Sequence, residues 1–195
     1  MKALRIAFCL LAFAALAAGT ALADGPAIGS AAPNFQLTSI DGKSFSLADA
    51  QKQYKAVVLV FIATKCPYSN AYNDRMKQLA DDLAKKGVLF VGINSNATEP
   101  VEEVKEHAKT HGFSFMILKD PGNKVADLYD AKRTPEAFIV DKDGKVRYHG
   151  RIDENYEDAS KVTSPDLKNA VDALTSGQAI AHTETKAFGC TIKRA

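Results

Sequence analysis

A continuous apolar run, residues 56–62, leads into a single cysteine that stands before an amphipathic helical pattern. The run is typical of a strand that is covered on both faces of a sheet. Cys66 follows it closely, and the N-terminus of the next helix offers unpaired N–H groups and a partial positive charge that favour thiolate over thiol. Lys65 adds a neighbouring cation. The sequence therefore predicts that Cys66 is an exposed, reactive thiol with a depressed pKa at the end of a buried strand.

The first residues of the chain, 1–23, have the pattern of a secretory signal peptide. Lys2 and Arg5 form a short basic region, residues 6–18 are apolar, and Ala21-Leu22-Ala23 gives a small-x-small cleavage site. The apolar run is short for a membrane span. We therefore expect an exported protein, periplasmic or secreted, with no membrane span after signal removal and with enough remaining chain for one domain.

Charge and cysteine usage limit the classes of partner and cofactor. The chain has 25 Lys and Arg against 23 Asp and Glu, and removing the signal brings the basic count to 23. This balance, without a basic patch, argues against a nucleic-acid partner. Cys66 and Cys190 remain after cleavage, too few thiols for a thiolate zinc site, and the i, i+4 pair His107 and His111 lacks a third ligand nearby. We expect no metal and no cofactor.

Strand-like and helix-like patterns alternate along the chain. Asp41-Gly42 between two alternating runs predicts an N-terminal β-hairpin, and Gly87 ends the helix that follows Cys66. The apolar spacing predicts an α/β fold with a central mixed sheet flanked by helices over residues 24–177, and a tail, residues 178–195, that carries Cys190 and has no periodic pattern. Further strands are predicted at 88–93, 115–118, 137–140 and 146–148, and further helices at 101–111, 124–129 and 165–174.

A second apolar strand is preceded by Arg133-Thr134-Pro135-Glu136. A cysteine before the first long helix and a Thr-Pro before a late hairpin resemble the thioredoxin superfamily, most closely its exported redoxin branch of the alkyl hydroperoxide reductase and thiol-specific antioxidant type. The resemblance covers roughly residues 32–177. It implies a thioredoxin-like fold in which Cys66 is the nucleophile. It also implies that the Thr134–Pro135 bond is cis, contacts Cys66 and shapes the substrate groove.

Three positions depart from the pattern of that family. Ser69 stands where a second cysteine would complete a Cys-x-x-Cys motif, Ala63 stands where peroxiredoxins have a threonine or serine, and Val60 stands where thioredoxins bury an acid. Ser69 either hydrogen-bonds the Cys66 thiolate or caps the helix. Glu136 either relays a proton near the thiol or only begins the strand.

Two functions from different classes fit these residues. The first is an exported thiol-disulfide oxidoreductase or thiol peroxidase-like redoxin. In it Cys66 attacks a protein disulfide or a peroxide, and Cys190, on a tail that folds back, or an external reductant resolves the product. The second is a non-catalytic binding module in which a Cys66–Cys190 disulfide is a permanent staple. Cys190 is thus resolving, structural or free, and the sequence leaves the substrate, the reductant, the redox direction and the oligomeric state open.

Overall fold

The computed structural model describes residues 25–195, so the predicted signal peptide lies outside the described residues. Its strands are β1 (Gln36–Ser39), β2 (Ser44–Ser46), β3 (Ala56–Ile62), β4 (Val88–Asn94), β5 (Met116–Lys119), β6 (Arg133–Thr134), β7 (Glu136–Asp141), β8 (Val146–Gly150) and β9 (Cys190–Thr191). Its helices are α1 (Leu47–Gln53), α2 (Pro67–Ala71), α3 (Asn73–Ala84), α4 (Val101–Thr110), α5 (Lys124–Leu128) and α6 (Asp166–Thr175), with short 3-10 turns at Pro121–Asn123 and Ala159–Lys161.

Seven of these strands form one mixed sheet in the order β2-β1-β5-β4-β3-β7-β8. Strands β3, β4 and β5 are parallel, and the remaining pairs are antiparallel. The predicted N-terminal hairpin is the β1–β2 pair at one edge, and the predicted late hairpin is the β7–β8 pair at the other. A central mixed sheet flanked by helices is therefore confirmed. None of the helices within residues 25–195 is long and apolar enough to cross a membrane.

Strand β3 is buried along its whole length and has a hydrophobic core on each face. Val58, Val60 and Ile62 belong to the core that includes residues of α3, α4 and α6. Val57, Leu59 and Phe61 alternate with them and belong to the core that includes residues of α1 and α5. Each fully buried side chain of this size contributes about 1.5–3 kcal/mol. Packing on both faces therefore holds the end of β3, and with it the start of the loop to Cys66.

Two local elements differ from the prediction. The predicted hairpin strand β2 ends at Ser46, whose hydroxyl accepts a hydrogen bond from the Asp49 N–H (3.3 Å) and caps helix α1, an element that the sequence pattern does not predict. The single helix predicted after Cys66 is divided at Tyr72 into α2 and α3. The Tyr72 ring is buried, and its hydroxyl donates to the Asp153 carboxylate (2.7 Å), so tertiary contacts hold this residue at the break.

The tail runs along the edge strand β8 of the seven-stranded sheet. Its last residues then form a separate two-stranded sheet with β6. The His149 N–H donates to the Thr183 carbonyl (2.9 Å), and the Thr185 N–H donates to the His149 carbonyl (3.0 Å), so the tail covers the edge strand β8. Further on, β9 pairs antiparallel with β6. Ile192, just after β9, is only 2% exposed and packs in the core on the α1 and α5 face. The tail is therefore part of the folded unit.

We predict that Ile192→Ala lowers the free energy of unfolding by about 2–5 kcal/mol, because it removes a buried aliphatic side chain. Chemical denaturation of the reduced protein measures this change. Leu128→Ala is the matched control, since Leu128 is 49% exposed and its truncation leaves no cavity. Equal effects of the two substitutions would contradict the packing of the tail described above.

Candidate active site

Cys66 lies at the N-cap of α2, four residues beyond the end of β3. Its Sγ accepts a hydrogen bond from the Ser69 N–H (3.4 Å), and its S–H, when protonated, donates to the Thr134 carbonyl (3.2 Å). The predicted exposure is wrong, because Cys66 is only 3% exposed. Thr134 and the tail lie against the sulfur, and sequence patterns carried no sign of this cover.

The tail brings Cys190 to Cys66. Cys190 pairs with Thr134 in the β6–β9 ladder, and Thr134 is the residue whose carbonyl contacts the Cys66 sulfur. Gly189 permits this approach, because a Cβ at that position would lie 2.1 Å from the Thr134 carbonyl oxygen. Both cysteines are free thiols. The structure therefore places a second thiol at a site whose local Cys-x-x-Cys partner is replaced by Ser69.

Aromatic side chains hold the tail in front of the site. The Tyr68 ring, on α2, lies 4.4 Å from the Tyr156 ring and 6.3 Å from the Phe188 ring, measured between centroids. The Tyr156 and Phe188 rings are 6.0 Å apart. Such contacts contribute about 0.5–1.5 kcal/mol each beyond the burial of area. Phe188 thus anchors the tail just before Cys190, and Ile192 anchors it just after.

The two thiols have opposite shifts in pKa. Burial opposes ionisation of Cys66, but hydrogen bonds from the Cys190 side chain, the Thr134 side chain and the Ser69 N–H outweigh it, so the pKa of Cys66 lies below its usual value. Burial, the hydrogen bond to Cys66 and the charge of Cys66 raise the pKa of Cys190 to about 11. Cys66 therefore ionises first, and Cys190 stays protonated and donates to it.

The Thr134–Pro135 peptide bond is cis, as predicted, and Thr134 is in contact with Cys66. The Thr134 hydroxyl is buried and has no hydrogen-bond partner within residues 25–195 while both cysteines are thiols. When Cys66 ionises, this hydroxyl can donate to its sulfur, which helps to lower the pKa of Cys66. Pro135 and Thr134 therefore form one wall of the site, as the family resemblance implied.

Ser69 contributes through its backbone. Its N–H donates to the Cys66 sulfur, while its hydroxyl accepts a hydrogen bond from the Ala63 N–H (3.1 Å). The helix cap is Cys66 itself, so the expectation that the Ser69 side chain caps the helix is wrong. The buried serine instead joins the first turns of α2 to the start of the loop that follows β3.

The Lys65 ammonium lies on Glu103, so the geometry gives no support to the expectation that it lowers the pKa of Cys66. This ammonium pairs with Glu103 (2.8 Å) and donates to the Thr98 carbonyl (3.4 Å), and the Lys65 side chain is 60% exposed. The backbone N–H groups of Lys65 and Thr64 instead bind the buried carboxylate of Glu99 (3.1 and 2.9 Å). Adjacency in sequence did not place this ammonium at the sulfur, because helix α4 presents Glu103 to it.

Glu136 has a positional role. One carboxylate oxygen accepts hydrogen bonds from the Lys132 and Arg133 N–H groups (2.7 Å each), and the other lies 2.6 Å from His149 Nε2. The His149 ring stacks on Phe138 at 4.2 Å between centroids. The Glu136 carboxylate thus fixes the backbone at Lys132 and Arg133, just before Thr134. The prediction of a proton relay to the thiol therefore has no support in the geometry.

The two histidines of α4 lie together, with ring centroids 4.4 Å apart. Burial and the neighbouring His111 lower the pKa of His107. No group of three or more His, Cys, Asp and Glu side chains in residues 25–195 is arranged to hold a metal ion. The pair packs against Phe113 and forms part of the helix surface.

Sequence reasoning missed a buried polar group beside the site. Asn94 ends β4, Ser95 and Asn96 follow it, and Glu99 comes shortly after them; all four are buried. The signal was present, because polar residues stood directly after one of two buried strands, and the carboxyl ends of neighbouring parallel strands meet at one edge of a sheet.

Residues 28–149 match the profile of the AhpC/TSA family. The chain belongs to this family. Thiol-disulfide oxidoreductase ResA of a Bacillus cereus strain is 34% identical over 119 residues, which cover 61% of this chain and 66% of ResA. The match thus spans slightly less than two thirds of the length of that relative.

Two solved structures share most of the fold of this AhpC/TSA-family protein. A hypothetical protein, SMc02350, from Sinorhizobium meliloti 1021 is 32% identical, with a TM-score of 0.80, over 87% of this chain and 95% of that one. An uncharacterized conserved protein from Geobacillus kaustophilus is 35% identical, with a TM-score of 0.80, over 87% and 93%. A putative thioredoxin from Neisseria meningitidis has the same fold at 22% identity, with a TM-score of 0.60 over 76% of this chain and 91% of that one. The fold is therefore thioredoxin-like.

We predict that Cys190→Ala raises the pKa of Cys66, because the substitution removes a hydrogen-bond donor to the thiolate. The ultraviolet absorbance of the thiolate, followed against pH, measures this value without a probe that must reach the buried sulfur. In the parent protein the inflection should lie below the roughly 8.5 of a free thiol. Thr191→Ala is the control in the same strand. An unchanged inflection in Cys190→Ala would contradict the interaction between the thiols.

Proposed function

We propose that this AhpC/TSA-family protein is an exported thiol-disulfide oxidoreductase with Cys66 as its nucleophile and Cys190 as its resolving thiol. The observation that carries the proposal is the placement of Cys190 beside Cys66 through the β6–β9 ladder, with a lowered pKa at Cys66 and a raised pKa at Cys190. The similarity to a thiol-disulfide oxidoreductase supports the reaction class. The signal-like residues 1–23 support export.

The proposed reaction has two exchange steps. The Cys66 thiolate attacks a disulfide of the substrate, forms a mixed disulfide and releases one substrate thiolate. Cys190 then loses its proton and attacks the Cys66 sulfur, forming the Cys66–Cys190 disulfide and releasing the second substrate thiolate. An external dithiol reduces the intramolecular disulfide and returns both cysteines to the thiol state. No cofactor enters this cycle.

The helix start and its neighbours favour the first step. In this site the Ser69 N–H and the hydroxyl of Thr134 stabilise the thiolate before the substrate arrives. The raised pKa of Cys190 keeps that thiol protonated while Cys66 is charged. Once Cys66 has become a mixed disulfide its charge is gone, and the pKa of Cys190 falls, so resolution follows attack.

A peroxide is the second candidate substrate, and the burial of Cys66 favours it. A small peroxide reaches a sulfur that is 3% exposed more easily than a polypeptide does. The thiolate would attack one peroxide oxygen and release an alcohol or water, and Cys190 would then displace the oxygen of the sulfenic acid as water. Ala63, where peroxiredoxins have a hydroxyl, favours the disulfide as substrate.

A polypeptide substrate requires the tail to move. The Thr134 backbone, which would pair with an extended substrate, already pairs with Cys190. A bound polypeptide would therefore replace β9, and the tail would return to resolve the mixed disulfide. The non-catalytic alternative remains a staple between the same two cysteines, which differs from the proposal in its redox potential.

We predict that Cys66→Ser abolishes turnover of a model disulfide with an external dithiol reductant. Cys190→Ser should keep the first attack, accumulate the mixed disulfide at Cys66 and slow turnover at least about tenfold, because resolution becomes bimolecular. Mass spectrometry of acid-quenched, non-reduced protein identifies each species. Thr191→Ala should turn over at the parent rate, since its exposed side chain contacts only Arg133.

A redox titration of the parent separates the proposal from the structural staple. A catalytic Cys66–Cys190 disulfide should have a midpoint potential above about −300 mV, whereas structural disulfides lie below that value. Formation of sulfenic acid or mixed disulfide at Cys66 with Cys190 always free would contradict both roles.

A further inference from the structure

We propose that Glu99 and Asn96 form a positioning pair that couples docking of the tail to the geometry of the Cys66 loop. The inference rests on the proposed function, because resolution of Cys66 by Cys190 is the step that the coupling serves. Neither side chain touches either sulfur. Both act through backbone groups that flank the two cysteines.

Glu99 holds the loop before Cys66. Its side chain is 1% exposed and accepts hydrogen bonds from the Thr64 N–H (2.9 Å), the Lys65 N–H (3.1 Å), Asn94 Nδ2 (2.5 Å) and Asn96 Nδ2 (3.0 Å). Burial opposes its ionisation, but these bonds outweigh it, so the pKa of Glu99 lies below its usual value. A buried carboxylate with this many donors resists displacement.

Asn96 connects that carboxylate to the tail. Its Nδ2 donates to Glu99, and its Oδ1 accepts a hydrogen bond from the Lys193 N–H (2.7 Å). The neighbouring Ala97 N–H donates to the Lys193 carbonyl (2.9 Å). One side-chain amide therefore bonds both to the residue that holds the Cys66 loop and to the tail three positions after Cys190.

The resulting chain of contacts runs from the Lys65 N–H through Glu99 and Asn96 to the Lys193 N–H. When the tail is released, Asn96 Oδ1 loses the hydrogen bond from the Lys193 N–H. The side-chain amide of Asn96 is then free to rotate away from Glu99. By linkage, the free energy by which tail docking stabilises the Glu99 contacts equals the free energy by which those contacts stabilise tail docking. Both thiols are then in place together or displaced together.

The experiment uses the full chain with Asn96→Ala, Glu99→Gln and the double variant. The first readout is the equilibrium with glutathione, in which two protein thiols and one oxidised glutathione give the Cys66–Cys190 disulfide and two reduced glutathiones. We expect each single variant to lower this constant about tenfold and the double variant to lower it by less than the product of the two. Glu103→Gln is the matched control, because Glu103 contacts Thr64 and Lys65 through their side chains only.

The second readout is amide hydrogen exchange of residues 188–195 in the reduced protein, which needs no redox chemistry. Faster exchange in Asn96→Ala and in Glu99→Gln, with Glu103→Gln at the parent rate, supports the coupling. If exchange rises but the parent forms no Cys66–Cys190 disulfide, the proposed function fails and the coupling stands. If both variants keep parent exchange, or if Glu103→Gln matches them, the coupling is wrong. Should Glu99→Gln not fold, Asn96→Ala alone decides between these outcomes.

Discussion

The antiparallel pairing of Thr134 with Cys190 is the contact on which the site depends. The β6–β9 ladder involves two residues on each strand, which is too short to be stable by itself. It persists because contacts on either side bring the tail to it, with Phe188 among aromatic rings and Ile192 in the core. The same pairing covers the Cys66 sulfur, supplies a hydrogen-bond donor to it and brings the second thiol beside it.

The opposite pKa shifts of the two cysteines arise because the buried site stabilises one thiolate, that of Cys66. Desolvation alone would keep both thiols protonated. Donors from three directions favour the thiolate at Cys66, and the Cys66 charge itself opposes a second thiolate at Cys190. The order of ionisation is therefore set by geometry, since the Cys66 sulfur lies at a helix start and the Cys190 sulfur does not.

The tail that shields the Cys66 sulfur from solvent also blocks the approach of a large molecule to it. A thiolate buried under its own tail is shielded from unspecific oxidation, but a polypeptide must displace β9 before it reaches the sulfur. The contacts that hold the tail are a few aromatic, aliphatic and amide contacts over a short segment. Segments held by few contacts open at lower free energy than the sheet itself. The tail that covers Cys66 is thus expected to open more readily than the sheet.

Much of the framework followed from local patterns. The apolar run before Cys66, the alternating hairpins, the late Thr-Pro and the helical spacing after Cys66 specify elements whose residues lie close together in sequence, so their periodicity could be interpreted directly. The prediction that Cys190 approaches Cys66 rested on there being only two cysteines in the expected mature chain. The hydrogen bond between Asn96 and the Lys193 N–H was not predicted, because these two residues are far apart in sequence.

The sequence by itself determined the order of strands and helices, the buried strand β3 and the placement of Cys66 at a helix start, because each depends on neighbouring residues. Only the tertiary structure decided which groups surround the sulfur. It placed the Lys65 ammonium on Glu103, the Glu99 carboxylate under the Cys66 loop and the tail over the thiol. The physical reason is that burial and hydrogen bonding at a site arise from segments distant along the chain, and periodicity carries no information about which distant segments meet.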